Sequence, residues 1–159
     1  MTTMRFVYTI RRAAMLGLVA LWCLAPMRSA SAQVAIAGNY YEEVKSSSGG
    51  CISVPTTFCA LIFSATPQIV FFTDVSCQFE TNLPIFQTAF GVSDSSSGLG
   101  GFRRFESFPP QLVSTANYAA KFKTSFLIGS GKFPMIFLQT VSAGTAIVNC
   151  KIVGTFQVP

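Results

Sequence analysis

The amino-acid sequence predicts an all-β fold, an antiparallel β-sandwich of about six to nine short strands preceded by a signal-peptide helix. Apolar residues beyond the first 32 recur with a period of two rather than 3.6. Phe, Val, Ile and Thr, which favour pleated and half-buried surfaces, are abundant. Gly-, Pro- and Ser-rich turns separate the apolar runs, without a repeat or a long helical pattern. A jelly-roll is one arrangement open to such a chain.

The first 32 residues predict a cleaved signal peptide. Arg11 and Arg12 precede the apolar run 13–25, and residues 30–32 supply small side chains at the usual cleavage spacing. As a helix this run spans only about 20 Å, short of the roughly 30 Å of a hydrocarbon core, which disfavours an uncleaved anchor. Residues 33–159 are then one domain, secreted or periplasmic, with no stable membrane span after cleavage.

Four cysteines remain beyond the signal, and an even number in an oxidising compartment predicts two disulfides. Three connectivities are open. We expect Cys51 to pair with Cys59 because they close a short loop, and Cys77 with Cys150 because both lie in strand-like stretches. A zinc site is disfavoured, since the chain has no C-x-x-C pair and no His. We predict no metal and no cofactor.

The clearest strand is Thr145–Val158, where small or apolar residues alternate with polar ones. Two hairpins are also predicted from apolar runs joined by turn residues. One pairs 121–128 with 133–140 across the glycine turn 129–132, and the other pairs 58–64 with 69–75.

Less regular stretches lie between these elements. Residues 85–92 predict a further short strand, and 111–119 are ambiguous. Residues 45–50 and 93–101 are rich in Ser and Gly, which predicts flexible polar loops.

The charge pattern disfavours nucleic acid as a partner. The chain has 11 Lys and Arg against 6 Asp and Glu, but four of the arginines lie in the signal. Seven basic and six acidic residues remain beyond it, a net charge of +1 without a basic stripe to hold phosphates. Disorder is also disfavoured, because half of the chain is apolar.

Catalysis is not predicted. Without His the chain has no Ser-His-Asp or Cys-His arrangement, and no lysine follows a serine at S-x-x-K spacing. Two carboxylates could still hydrolyse glycosidic bonds, so a small carboxylate-dependent polysaccharide hydrolase stays an alternative, with Glu80 and Glu106 as the residues to test.

A non-catalytic module would bind through loops or exposed aromatic rings. The longest candidate ligand loop runs from residue 94 to 104, and a few tyrosines are candidates for stacking on sugars, since Trp22 lies in the signal. The candidate residues are Asp94, Arg103 and Arg104 in the loop, and Tyr40, Tyr41 and Tyr118 as exposed aromatics.

The stretch Phe63-Ser-Ala-Thr-Pro67 leading to Val75-Ser76-Cys77, with the closing Cys150-Lys-Ile-Val-Gly154, resembles a pattern in small secreted bacterial β-sandwich proteins of unknown function. It covers about 30 residues, and residues 33–50 and 93–119 fall outside it. The resemblance implies an exported bacterial protein and the pairing of Cys77 with Cys150. It implies no activity and no catalytic residue.

Taken together, these features predict an exported, disulfide-stabilised β-sandwich that acts as a non-catalytic binding or structural module of the cell envelope or extracellular space. Its partner would be an extracellular or envelope ligand that the sequence does not identify. A surface or pilus-like subunit is an alternative, in which strand edges join copies of the chain into a homo-oligomer.

Overall fold

The computed structural model describes residues 32–50, 52–54, 56–98, 104–142 and 144–157. These residues form eleven strands and no helix, so none of the described segments is a helix that could cross a membrane. The predicted signal peptide lies outside them, except for Ala32, where the first strand begins. The strands are β1 Ala32–Ala37, β2 Tyr40–Gly50, β3 Ile52–Val54, β4 Thr56–Ile62, β5 Val70–Glu80, β6 Ile85–Ser93, β7 Arg104–Ser107, β8 Gln111–Ser114, β9 Asn117–Ile128, β10 Phe133–Thr140 and β11 Thr145–Phe156.

The strands form two antiparallel sheets, as the sequence predicted. The first sheet has the order β1-β2-β11-β5-β9-β8, and the second has the order β3-β4-β10-β6-β7. The two sheets pack face to face around one buried apolar cluster, to which both contribute. Eleven strands exceed the predicted number, because β1, β2, β3 and β7 were not predicted. Strands β2 and β7 carry no strong apolar alternation, β3 has only three residues, and the apolar β1 adjoins the predicted signal peptide.

The strand order is that of a jelly-roll. Apart from the edge strands β1, β3 and β8, eight strands remain, which are numbered one to eight along the chain. They lie in the order 1-8-3-6 in the first sheet and 2-7-4-5 in the second. Successive strands therefore alternate between the sheets over most of the chain, and connections cross the ends of the sandwich.

Both predicted hairpins are wrong. Strand β4 lies in the second sheet and β5 in the first, and β9 and β10 are divided in the same way. The links between them are arches from one sheet to the other. Period-two alternation shows that a strand has one buried face, but a strand can bury that face from either sheet. The alternation therefore predicted the strands correctly without fixing their partners.

The predicted loop at 45–50 is also wrong, because these residues complete β2. They pair with β11 from Lys45 opposite Cys150 to Gly50 opposite Thr145. This ladder satisfies the backbone groups and outweighs the low strand preference of Ser and Gly. The other predicted loop begins as expected, with bends and turns at 94–98.

Strand β11 forms the middle of the first sheet and pairs with β2 and β5. Its inward-facing residues are small or apolar, as the alternation predicted, and its outward-facing residues are polar except for Ile147 and Val153. Cys150 lies directly opposite Cys77 of β5, and the two form a disulfide with a Cα–Cα distance of 4.1 Å. Both residues are buried in the apolar core. Because β5 and β11 are neighbours in the first sheet, the bridge joins two strands of one sheet rather than the two sheets. Cys59 of β4 is also disulfide-bonded, but its predicted partner Cys51 lies outside the described residues.

Candidate functional site

The connections between strands gather at two opposite ends of the sandwich. The links 38–39, 63–69, 94–98 and 129–132 meet at one end, which is called the braced end below. The links 81–84, 108–110, 115–116 and 141–142 lie at the other, which is called the open end. Each predicted site residue in the described part can be placed relative to these two ends.

Hydrogen bonds tie the two arches of the braced end together. The backbone N–H of Thr66 donates to the carbonyl of Lys132 at 2.9 Å, and the N–H of Gly131 donates to the carbonyl of Thr66 at 2.8 Å. The buried Thr66 hydroxyl donates to the carbonyl of Gly129 at 2.6 Å. Gly131 has a φ of 72°, a conformation that glycine adopts without strain. The two arches therefore support each other.

The predicted ligand loop lies at this braced end, where its described members hold the fold together. Asp94 forms an ion pair with Lys132 of the neighbouring arch at 2.7 Å. The Arg104 guanidinium donates to the carbonyl of Leu127 and lies 4.3 Å from the ring centre of Phe126. Arg103 lies outside the described residues. Asp94 and Arg104 are thus engaged with the protein's own chain.

The three candidate tyrosines have different environments. Tyr41 is 1% exposed, so its assignment as an exposed aromatic is wrong; its side chain points between the sheets and packs edge-on against Phe72 and Phe156. Tyr40, on the opposite face of the same strand, is 41% exposed and donates its hydroxyl to Glu42 at 2.5 Å. That hydrogen bond raises the pKa of Tyr40.

A buried carboxylate accounts for the position of Tyr41. Glu43 is fully buried and accepts a hydrogen bond from the Tyr41 hydroxyl at 2.6 Å. It also accepts bonds from the backbone N–H and the hydroxyl of Ser64, both at 2.9 Å. Burial, and then Glu43, raise the pKa of Tyr41 above its usual range. These bonds link β2 in the first sheet to the arch that leaves β4 in the second.

Asp74 and Glu106 also have partners within the protein, whereas no hydrogen bond or ion pair within the described residues involves the Glu80 carboxylate. Asp74 accepts from the Lys123 ammonium at 2.5 Å, which lowers the pKa of this carboxyl. Glu106 of β7 accepts from the Thr124 hydroxyl of β9 at 2.5 Å and so bridges the sheets on the side opposite Glu43. No three or more metal-ligating side chains cluster anywhere in the described ranges.

The open end exposes apolar side chains. Phe86, Leu112, Val113 and Val141 are 69%, 63%, 69% and 58% exposed, more than any other large apolar side chain in the described part of the chain. Leu112 faces the same way as Tyr118, its partner on β9. That face of the first sheet is its inner face. Strand β8 is the edge strand of this sheet, and Leu112 remains exposed because the second sheet does not cover it.

Two pockets adjoin at this end and share Tyr118. The Leu112 pocket, bounded by Leu112, Val113 and Asn82, has a volume of about 520 Å³. The Phe86 pocket, bounded by Phe86 and Gln87, has about 470 Å³. Both volumes lie in the range of ligand pockets, and no charged residue lines either one. Tyr118, which is half-buried, is thus the one of the three candidate tyrosines that lines these two pockets.

The framework beneath the open end is held covalently. Cys77 and Cys150 each lie two residues along their strands from Phe79 and Val148, which are the last inward-facing pair that β5 and β11 form towards this end. The turn at the edge is strained, since Ala116 has a φ of 67°, but its carbonyl accepts a hydrogen bond from the Thr81 N–H at 2.8 Å. The pockets therefore lie on a rigid sheet.

Sequence reasoning missed the exposed apolar residues of the open end. Phe86 and Leu112 look like ordinary core residues within strands. One signal was available, because the consecutive residues Leu112 and Val113 point to opposite faces of a regular strand. A second signal was the Pro109-Pro110 pair, which ends one strand and begins the next.

No protein-family model matches this sequence, and no curated protein matches it. Among solved structures, the dimeric latent PorU from Porphyromonas gingivalis is similar, with 11% sequence identity and a TM-score of 0.39. The match covers 81% of this chain and 14% of PorU.

Proposed function

We propose that this chain is an exported, disulfide-stabilised, non-catalytic binding module of the cell envelope or extracellular space, and that its open end receives the ligand. The observation that carries the proposal is the pair of adjoining pockets that share Tyr118. Exposed apolar and aromatic side chains with a few amides and hydroxyls, held on a rigid scaffold, are typical of binding sites.

Export is supported by the disulfide between Cys77 and Cys150, since such bridges persist in oxidising compartments, and by the signal pattern of residues 1–32. The test is the intact mass of the protein from its native host, with thiols alkylated before and after reduction. We expect cleavage after Ala32, no free thiols, and a mass about 4 Da below the fully reduced form. A retained amino terminus or free thiols would contradict export.

The absence of catalysis is supported by the way the carboxylates are used. Glu43, Asp74 and Glu106 each accept hydrogen bonds that join strands or sheets, as described above. We therefore expect no turnover on a broad panel of glycans. A measured hydrolysis that is lost in Glu80→Gln or Glu106→Gln would support the hydrolase instead.

Binding at the open end can be mapped residue by residue. Backbone amide NMR signals of the isotope-labelled protein are followed while soluble oligosaccharides and short peptides are added one at a time. We expect the shifted signals to cluster at 81–88 and 107–118, and to be lost in Tyr118→Ala. The matched control is Tyr40→Ala, which removes a tyrosine of the outer face and should leave binding intact. Shifts confined to the braced end, or unaffected by Tyr118→Ala, would refute the site.

A second candidate function is a surface or pilus-like subunit, and β1 is the observation that favours it. All six residues of this outermost strand are exposed, and Val34 and Ile36 lie on the inner face of the sheet, 43% and 55% exposed. An exposed apolar edge strand is a template for strand pairing with another copy. Sedimentation velocity tests this: a subunit would form larger species with rising concentration, and Ile36→Lys would keep it monomeric. A concentration-independent monomer would exclude it.

A further inference from the structure

A third depression adjoins the two pockets of the open end, on the outer face of the first sheet. It has a volume of about 260 Å³ and is lined by polar side chains, among them Gln78, Gln111 and Lys121. Pro109 lines this depression and also the Phe86 pocket. The three concavities therefore lie next to one another around β8, and together they are called the path, which runs from an uncharged part at Tyr118 to a charged part at Lys121.

The register of the strands builds the outer depression. Gln78 of β5 and Gln111 of β8 both lie opposite Ala119 of β9, one on each side. The small Ala119 side chain leaves a dip between two amides that are roughly 10 Å apart, the width of two strand spacings. In the next outward-facing row, about 7 Å along the strands, Ser76 lies opposite Lys121.

Lys121 differs from its neighbours on this face because it has no ion pair. Lys123, two residues along the same strand, is paired with Asp74, and Lys151 is paired with Glu42 at 3.4 Å. No carboxylate in the part of the chain described lies within 4.0 Å of the Lys121 ammonium. Asp74 interacts with Lys121 only at longer range. Lys121 is therefore available to an anionic group of a ligand.

We propose that the ligand of this path is an acidic glycan, whose sugar rings lie in the two pockets at Tyr118 and one of whose carboxylates is paired by Lys121. This inference rests on the proposed function and adds the class of ligand. A sugar presents a flat C–H face to an aromatic ring and hydroxyls to amides, which suits the uncharged lining around Tyr118. A carboxylate on a neighbouring ring then meets the Gln78, Gln111 and Lys121 side chains.

A glycan fits this path better than an acidic peptide does. Extended peptides bind sheets mainly through main-chain hydrogen bonds at a strand edge. The outer depression lies on the face of the sheet, where the backbone groups of β5 and β9 are paired with each other and with β11 and β8. Only side-chain amides, a hydroxyl and an ammonium remain there, and a hydroxyl-rich ligand can use all of them.

The test uses one polymer backbone with and without its charge. Oligomers of galacturonic acid and their methyl esters are titrated into the exported protein by calorimetry, at low salt and again at high salt. We expect the acid to bind about fivefold more tightly than the ester, the fold-change of one exposed ion pair, with the difference shrinking in salt. In Lys121→Gln the two should bind equally. In the matched control Lys123→Gln, the preference for the acid should remain.

The outcomes separate the two proposals. If the ester binds, Tyr118→Ala abolishes that binding, and the acid shows no preference that depends on Lys121, then the open end is a binding site but the acidic ligand is wrong. If Lys121→Gln and Lys123→Gln reduce the preference equally, general surface charge explains it and the site is wrong. Poly-glutamate that binds as tightly as the acidic oligomer, with the same dependence on Lys121, would replace the glycan by a peptide. If neither oligomer binds, the glycan is overturned, while the NMR map still tests the open end.

Discussion

The two ends of the sandwich are stabilised in different ways. At the braced end, hydrogen bonds join one arch to the other through Thr66, and an ion pair joins Asp94 to Lys132. At the open end two backbone hydrogen bonds join the links, from Thr81 to Ala116 and from Val141 to Pro84, apolar side chains are exposed, and the disulfide lies beneath the Phe79 and Val148 pair. The disulfide supports the open end from below, so its exposed apolar side chains stay available to a ligand. At the braced end the polar groups of the arches bind one another instead.

The largest effect should come from removing the disulfide. The Cys77→Ala, Cys150→Ala double variant reopens a loop with a sequence separation of 73 residues, which should lower the free energy of unfolding by about 4.4 kcal/mol. Urea denaturation measures the loss. That loss acts on the unfolded chain and lowers the protection of all core amides alike. Beyond it, we expect local opening to reduce the protection of amides near Phe79 and Val148 more than that of amides near Thr66, which hydrogen exchange measures. Equal loss at both ends would break the comparison.

The next largest effect should be at Glu43, the buried carboxylate that ties β2 to the arch at the braced end. Glu43→Ala leaves the Tyr41 hydroxyl and two donors of Ser64 without an acceptor, which should cost roughly 3 kcal/mol. Glu106→Ala is the control, since this carboxylate also bridges the sheets but is exposed, and it should cost less than about 1 kcal/mol. If urea denaturation gave similar losses of unfolding free energy for the two variants, burial of the carboxylate would not determine how much it stabilises the fold.

A pair of buried threonines compares the ends directly. Thr66→Val removes the hydroxyl that joins the two arches, and we expect a loss of about 1.5 kcal/mol. Thr81, equally buried at the open end, only accepts a 3.2 Å bond from the N–H of Leu83, so Thr81→Val should cost about half as much. Thermal and urea denaturation of both variants measures the difference. A larger loss of unfolding free energy in Thr81→Val than in Thr66→Val would mean that side-chain hydrogen bonds stabilise the open end more than the braced end.

Alkaline pH should weaken the braced end through Tyr41. Its folded-state pKa is raised above the ordinary value of 10.0, so the unfolded chain loses this proton first. The contribution is fully present below pH 10 and is lost as the pH rises towards the folded-state pKa. Between pH 10 and 11 the free energy of unfolding should fall by about 1 kcal/mol more in the wild type than in Tyr41→Phe. If the free energy of unfolding fell equally with pH in the wild type and in Tyr41→Phe, the buried hydroxyl would not be the cause. Tyr40→Phe is the control, since it removes an exposed tyrosine hydroxyl.

The smallest effect should come from the exposed apolar residues of the open end. Leu112→Ser and Val113→Ser remove side chains that are already mostly in water, so stability should change by less than about 0.5 kcal/mol. Binding of a hydrophobic dye should nevertheless fall, because the exposed patch shrinks. A loss above 1 kcal/mol in urea would mean that these side chains support the fold rather than a ligand.

The sequence predicted the sandwich and most of its strands, because one-sided burial leaves a period-two pattern, as in β11. It did not predict strand partners, because β4 and β5, or β9 and β10, have the same apolar alternation whether they pair in one sheet or face each other from two sheets. It also missed the whole of β2, whose Ser- and Gly-rich second half is ordered by pairing with β11.

The candidate site was predicted less well. Tyr118 was named from its residue type, and it borders both pockets. The polar loop at 94–104 was chosen because it is long and charged, but Asp94 and Arg104 bind neighbouring elements instead. Exposure of Phe86 and Leu112 depends on where the second sheet ends, which is a property of the assembled fold and leaves no local pattern.

The central place of β11 affects the order in which the protein can mature. Of the described strands this one leaves the ribosome last, yet it pairs with β2, one of the earliest of them, and with β5. Until it arrives, the first sheet lacks its middle strand, and Cys77 has no Cys150 to meet. Long-range pairing of this kind forms slowly and late. An exported chain would therefore close its core only after β11 had crossed the membrane.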